Sequence, residues 1–195
     1  MLLQNYSKYF IAIIPPSPVY EQAEWWKEYF KMEYNSRAAL RSPPHITLHM
    51  PFQWKIKKEE KLIEELLNFT QTQKLFDLAL KDFGCFEPRV IFINVEPSNQ
   101  LTQLQSALSK FCKVKLNLFN ANRHDQPFNP HLTVAFRDLK KSVFPHAWSS
   151  VKEKEFYEVF PVEQVCLLKH DGKKWNAFKE LKFGGDCLVP PMARS

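Results

Sequence analysis

The sequence predicts an α+β fold with a mostly antiparallel sheet, and three observations lead to it. Segments rich in β-branched and aromatic residues are interspersed with amphipathic stretches, without the strict strand–helix alternation that builds a parallel sheet. Neighbouring apolar segments close on turn residues around Gly84–Pro88 and around Asp171-Gly172, which marks hairpins. With 195 residues, the chain suits one core, since single cores serve roughly 100–200 residues. One domain is expected over residues 1–183, with a tail over 184–195.

Each element has its own signal. Tyr9–Ile14 is β-branched and aromatic and is stopped by Pro15-Pro16, so it reads as a strand. Ser17-Pro18 looks like an N-cap with proline at the first helical position, opening a helix from Val19 to about Tyr34. His45–Met50 is a short strand after Pro43-Pro44. Lys58 to about Thr70 is a second helix, with Leu62, Ile63, Leu66 and Leu67 on one stripe. Leu75–Phe83 and Val90–Val95 are paired strands. Ser98 caps a third helix in which Leu101, Leu104, Leu108 and Phe111 recur at helical spacing. His131–Arg137, Lys154–Phe160, Gln164–Lys169 and Trp175–Phe183 supply the remaining strands.

Composition removes several functional classes. Hydrophobic residues are 45% and charged residues 25%, an ordinary globular mix. Gly84, Gly172, Gly184 and Gly185 are the only glycines, and their spacing builds neither a dinucleotide fingerprint nor a phosphate loop. Cys85, Cys112, Cys166 and Cys187 form no C-x-x-C pair, which argues against a zinc ribbon or redox dithiol; they read as small buried hydrophobes. The longest apolar runs, such as Phe10–Ile14, fall far short of the roughly 20 residues a membrane helix needs. The start of the chain lacks a signal-peptide pattern, so a cytoplasmic location with reduced thiols is expected. A net charge of +6 favours an anionic partner.

One local repeat carries chemistry. Pro44-His45-Ile46-Thr47-Leu48 and Pro130-His131-Leu132-Thr133-Val134 share the order proline, histidine, aliphatic, threonine, aliphatic. In a strand, side chains alternate faces, so each copy presents an imidazole and a hydroxyl on one face and two aliphatic groups on the other. Two copies brought together would place two imidazoles and two hydroxyls around one small volume. That set suits phosphodiester chemistry. A neutral imidazole takes a proton, an imidazolium gives one, and histidine does both near neutral pH. Threonine hydroxyls donate to the non-bridging phosphate oxygens, whose charge grows in the transition state. No acidic cluster near the motifs resembles a metal site, so neither metal nor cofactor is expected.

The doubled motif, together with the Phe10–Ile13 strand and the prolines after it, resembles the two-histidine (2H) phosphoesterase superfamily. That superfamily includes 2′,5′ RNA ligases and cyclic nucleotide phosphodiesterases. The resemblance extends from about Tyr9 to Phe183. It implies two pseudo-symmetric lobes of mostly antiparallel sheet with outer helices and an active-site groove between them, each lobe supplying one motif. It also implies that His45 donates a proton and His131 accepts one during hydrolysis; the residues themselves assign neither role. The expected activity is metal-independent hydrolysis of 2′,3′-cyclic phosphates on RNA ends or nucleotides, run backwards as 2′,5′ ligation. The alternatives are a 2′,5′-oligonucleotide phosphodiesterase and a module that binds a nucleotide without turning it over. The expected partner is an RNA end or small nucleotide, not a membrane; the oligomeric state is left open, with a monomer favoured.

Other residues are weighed against plainer readings. Phe10 could stack on a base, as aromatic residues do in single-strand sites, or could pack in the core. Arg123 and His124 lie in the polar segment 120–126, either a solvated loop or a lid over phosphate. Alternation puts His49 and Arg137 on the site face. However, at about 3.3 Å per residue they start about 13 Å and 20 Å along their strands. Arg137 could meet a distal phosphate from there; His49 reads as structural or at the rim. Lys55, Lys57, Lys58 and Lys61 read as the solvated start of a helix.

Overall fold

In the computed structural model, which describes residues 5–119, 121 and 127–185, apolar periodicity sets most of the elements. Helix α1 (Val19–Tyr34) buries Val19, Ala23, Lys27 and Phe30, positions spaced to lie along one side of a helix. Helix α2 (Glu59–Thr70) buries Leu62, Leu66 and Phe69, and α3 (Asn99–Leu116) buries Leu101, Leu104, Leu108 and Cys112. Ser98 caps α3 as expected, its hydroxyl accepting the Leu101 amide at 3.1 Å. Asn35 and Asn117 end α1 and α3 in the left-handed region, at φ 54° and 56°, which asparagine tolerates better than most residues.

Eight strands form one curled antiparallel sheet. They are β1 (Tyr6–Ile13), β2 (Ile46–Lys55), β3 (Phe76–Phe86), β4 (Val90–Val95), β5 (His131–Ala135), β6 (Tyr157–Val162), β7 (Gln164–His170) and β8 (Trp175–Lys182). Their spatial order is β6-β3-β4-β5-β2-β1-β7-β8. The order splits into two four-stranded halves joined where β5 meets β2. The joint is narrow: its ladder registers one pair, Ile46 opposite Leu132. Each half repeats one construction, in which a strand, a helix and an antiparallel neighbour follow in sequence as β1-α1-β2 and β4-α3-β5. The 86-residue spacing of the motifs (45 to 131) is therefore the spacing of a structural repeat.

The helices cross over between the halves. Helix α1 packs on β5 and α3 packs on β2, so each helix supports the other half's motif strand. The main core lies between the helices and one face of the sheet, with Ile11, Ile13, Ile46, Leu132 and Val134 pointing into it. The opposite face carries a smaller apolar cluster of Phe10, Ala12, Cys166 and Leu168. The alternation of β1 divides its residues between these two faces, Tyr9, Ile11 and Ile13 on one and Phe10 and Ala12 on the other.

Several expectations need correction. Ser17 does not cap α1; Pro18 holds that position, and the Ser17 hydroxyl donates to Glu21 Oε1 at 2.6 Å. Strand β2 runs on through Pro51 to Lys55, well past Met50, because its later residues pair with Tyr6–Tyr9 of β1. Strand β5 stops at Ala135, and β6 starts at Tyr157 rather than Lys154. Helix α4 (Phe144–Ser149) and a 3₁₀ turn at Ala38–Arg41 were not expected, since neither is long enough to show periodicity. From residue 186 onward the expected tail lies outside the described residues.

Candidate active site

The two motifs meet at the joint of the sheet. Ile46 and Leu132 face each other and are fully buried on the core side, so their neighbours project from the opposite face. Extending that register by one residue puts His45 across from Thr133 and Thr47 across from His131. Residues directly opposite in an antiparallel pair have Cβ atoms about 4.5–5.5 Å apart. All four side chains are half-buried, within reach of a ligand in the groove.

Both imidazoles are held in the same way. His45 Nδ1 lies 2.7 Å from the carbonyl oxygen of Pro43, and His131 Nδ1 lies 2.8 Å from that of Asn129. A carbonyl only accepts, so each Nδ1 carries the proton and donates it. In the neutral ring, Nε2 then has the lone pair. In both copies a proline, with its fixed φ, stands between this carbonyl and the histidine.

Aromatic rings fix the remaining freedom. The Phe10 ring centroid is 4.9 Å from that of His45, and Trp175 meets Phe10 edge-on at 4.7 Å. On the other side, Phe92 and Phe86 approach His131 at 5.0 and 5.1 Å. The sequence leaves Phe10 as a platform for a base or a packing residue, and its surroundings favour packing. It is buried between His45 and Trp175, so it forms the wall behind His45 rather than a platform for a base.

Burial also sets the electrostatics. It pushes His45 down to about 4, with the field of Lys27 and then of His131 adding to the depression and the Pro43 hydrogen bond opposing it. Burial lowers His131 too, against the Asn129 hydrogen bond. Both imidazoles are thereby biased toward the neutral form, His45 the more strongly of the two.

The other expected residues are not all brought to this place. Strand pairing shifts register between Ile11 and Ala12, with Thr47 opposite Ala12 but His49 opposite Ile11. The bulge turns His49 from the groove face to the core, where it is fully buried, against Phe52 at 5.4 Å, and donates from Nδ1 to the Met50 carbonyl. Arg137 lies beyond the end of β5 at φ 61°, so strand alternation does not reach it. Its guanidinium rests over the Phe136 ring at 5.3 Å, and its carbonyl accepts from Arg89. Arg123 and His124 lie outside the described residues.

Three neighbours were missed. Asn94 of β4 lies opposite His131, and Phe92 opposite Thr133, on the groove face. Their signal was present in Val90–Val95, where a lone polar residue alternates with Phe92. Gly84 of β3 makes room for both: a Cβ there would stand 2.4 Å from Asn94 Oδ1 and 2.5 Å from the Phe92 ring. Gly84→Ala is expected to lower stability by about 1–3 kcal/mol through overpacking. An unchanged urea midpoint would contradict this close approach. The third neighbour is Lys27, which occupies a core position of the α1 stripe.

A cavity of about 610 Å³ adjoins the His45 end of the groove. Tyr20, Glu24, Pro43, Cys166, Trp175 and Asn176 are among its lining residues. Neither motif histidine lines it; it touches their surroundings through Pro43 and Trp175.

Residues 15–174, a span that includes both motifs, match the model of the 2′-5′ RNA ligase superfamily. The chain belongs to that superfamily. A Geobacillus kaustophilus protein provisionally named a phosphoesterase is 28% identical over 185 residues, covering 93% of this chain and 99% of its own. A similarly named protein of Bacillus mycoides is 28% identical over 177 residues, covering 89% and 95%. Among solved structures, TT0787 of Thermus thermophilus superposes with a TM-score of 0.67 at 17% identity, covering 92% of this chain and 99% of the other. LigT of E. coli, solved with 3′-AMP, superposes with a TM-score of 0.65 at 23% identity, covering 91% and 98%. The superfamily fold is thus that of this chain: α+β, with the curled eight-stranded sheet described above. Among the described residues no helix is long and apolar enough to cross a membrane.

Proposed function

We propose that this superfamily member is a metal-independent phosphoesterase that opens 2′,3′-cyclic phosphates on RNA ends or nucleotides. The observation that carries the reading is the paired presentation of the motifs. Two imidazoles, each tied through Nδ1 to the carbonyl two residues before it, flank one groove with two threonine hydroxyls across from them. A phosphodiester seated there has a proton acceptor on one side and a proton donor on the other. Water attacks phosphorus in line as one Nε2 takes its proton, and the other Nε2 protonates the departing ribose oxygen. The threonines donate to the non-bridging oxygens. With the hydroxyl of a second RNA end in place of water as the nucleophile on the cyclic phosphate, the same arrangement ligates the two ends. That LigT was solved with 3′-AMP and with ATP supports a nucleotide in the groove.

The pH profile tests this mechanism. The productive state has one imidazole charged and one neutral, and kcat/KM reports the ionisations of the free protein. Burial lowers both histidines, His45 to about 4. The one-proton state is therefore most populated on the acid side of the ordinary histidine value of about 6.5. kcat/KM for a 2′,3′-cyclic nucleotide is expected to trace a bell centred below that value. The bell for kcat should sit at higher pH, because the bound phosphate stabilises the imidazolium. A kcat/KM that climbs steadily through pH 9 would contradict two-histidine catalysis.

A further inference from the structure

The groove face continues past Phe10 along β1. Alternation puts Lys8 and Tyr6 on the face of Phe10 and Ala12, while Ser7 and Tyr9 take the other side. Across the ladder, Lys8 pairs with Gln53 and Tyr6 with Lys55. Lys55, expected in the solvated start of a helix, instead ends β2 beside Tyr6, its ammonium 5.8 Å from the centre of that ring. Against this strand end lies a cavity of about 460 Å³, with Lys8, Gln53, Asn117 and Phe119 among its lining residues. Phe119 follows α3 and has the Lys113 ammonium 5.9 Å from its ring centre. Both rings are exposed, Tyr6 by 46% and Phe119 by 67%.

Three ammonium groups and two exposed aromatic rings thus gather at this end of the groove. Ion pairs engage Lys27, Lys31, Lys152 and Lys169 with glutamates, none of them these three. Glu59, four residues after Lys55, is turned to the core face, where it accepts from Tyr9 and Lys169. The opposite end of the groove has another character: its cavity carries the carboxylates of Glu24 and Glu180 against one lysine, Lys174. A polyanion is drawn to the first end and not to the second. Lys8 is four residues along β1 from Ala12, which lies opposite Thr47. That is about 13 Å of extended strand, too far to share the reacting phosphate and suited to one further along a chain.

On the reading given under Proposed function, we infer that this surface is the track for the body of a single-stranded RNA whose terminal cyclic phosphate sits between His45 and His131. Lys8, Lys55 and Lys113 meet phosphates upstream of the reacting one. Tyr6 and Phe119, each with an ammonium over one face, offer the other face to a base. A basic groove that follows the backbone, with aromatic rings for the bases, holds single strands without regard to sequence. An acidic protein segment would answer the lysines alone; the exposed rings favour RNA. The substrate is then an RNA end in preference to a mononucleotide, with the chemistry left to the histidines.

The test compares an RNA of about eight nucleotides ending in a 2′,3′-cyclic phosphate with the matching cyclic mononucleotide. In the full parent chain, kcat/KM for the oligomer is expected to exceed that for the mononucleotide at least about tenfold, and the excess should shrink as salt rises. Lys8→Gln, Lys55→Gln and Lys113→Gln together should bring the ratio close to unity. Phe119→Ala should cut the ratio about fivefold or more, the worth of stacking one base. All four side chains are exposed, so the fold should be kept, and circular dichroism checks it. A ratio near unity in the parent, or one that the lysine variant leaves unchanged, overturns the inference. Fluorescence anisotropy with the same oligomer ending in a 3′-phosphate reads the track without turnover. The lysine variant should bind it with a log–log salt slope shallower by about 2, at roughly 0.7 per phosphate contact. An unchanged slope overturns the inference, as does binding of polyglutamate or anionic vesicles as tight as that of RNA. A parent that turns over neither substrate refutes the proposed activity instead, while the anisotropy still decides the track.

Discussion

His45→Ala and His131→Ala are each expected to lower turnover of a 2′,3′-cyclic nucleotide at least about a hundredfold, since a general acid or base contributes typically about 10²–10⁴ in rate. Fold should survive both changes. The two side chains are half-buried on the groove face, and the adjacent Ile46 and Leu132, which hold the joint, are untouched. The double variant should lose less than the product of the single losses, because a reaction that needs both protons moved gains little from one histidine alone. Circular dichroism and a urea midpoint close to the parent's, together with steady-state rates, check the result. Near-parental turnover in either single variant would refute acid–base catalysis by the pair.

Thr47→Val and Thr133→Val should have the next largest effect, and they ask whether the second half of each motif is chemical. Valine keeps the β-branched shape that suits a strand and removes only the hydroxyl donor. Each hydroxyl lies across the joint from the opposite motif's histidine, next to where a phosphate would sit. Removing one donor aimed at a developing anion costs about 2–4 kcal/mol in enclosed oxyanion holes. Thr47 and Thr133 are half-buried rather than enclosed, so water can take over part of that role, and a loss of about ten- to several-hundredfold in kcat/KM is expected, with thermal stability little changed. Full activity in both single variants and in the double variant would make the threonines structural.

How much of this was legible in the sequence depended on how local the signal was. The β-branched and aromatic content of Tyr9–Ile14 and the helical spacing in α2 and α3 are properties of short windows; the helices lie where they were expected, and the strand is there too but starts three residues earlier, at Tyr6. The pairing of β2 with β5 is not local. Ile46 and Leu132 are far apart in the chain, and only the repeated five-residue pattern hinted that they meet. Alternation failed where strand geometry changed. The β1–β2 bulge reversed His49, and the left-handed φ at Arg137 ended the strand on which its placement depended. The two readings of Phe10 could not be separated in the sequence, because the ring that covers it, Trp175, arrives from β8 at the far end of the chain. Lys27 had a readable signal: it falls on the Val19, Ala23, Phe30 side of α1, yet its residue type suggested solvent.

The most direct test of the account is a product analysis. The full chain is incubated with a panel of nucleoside 2′,3′-cyclic phosphates and cyclic-phosphate RNA ends in excess EDTA, and the products are identified by ³¹P NMR and chromatography. The account predicts ring opening to a single 2′- or 3′-phosphomonoester at a rate unaffected by the chelator. Ligands bound but left intact, or turnover abolished by EDTA and restored by a divalent metal, would contradict it.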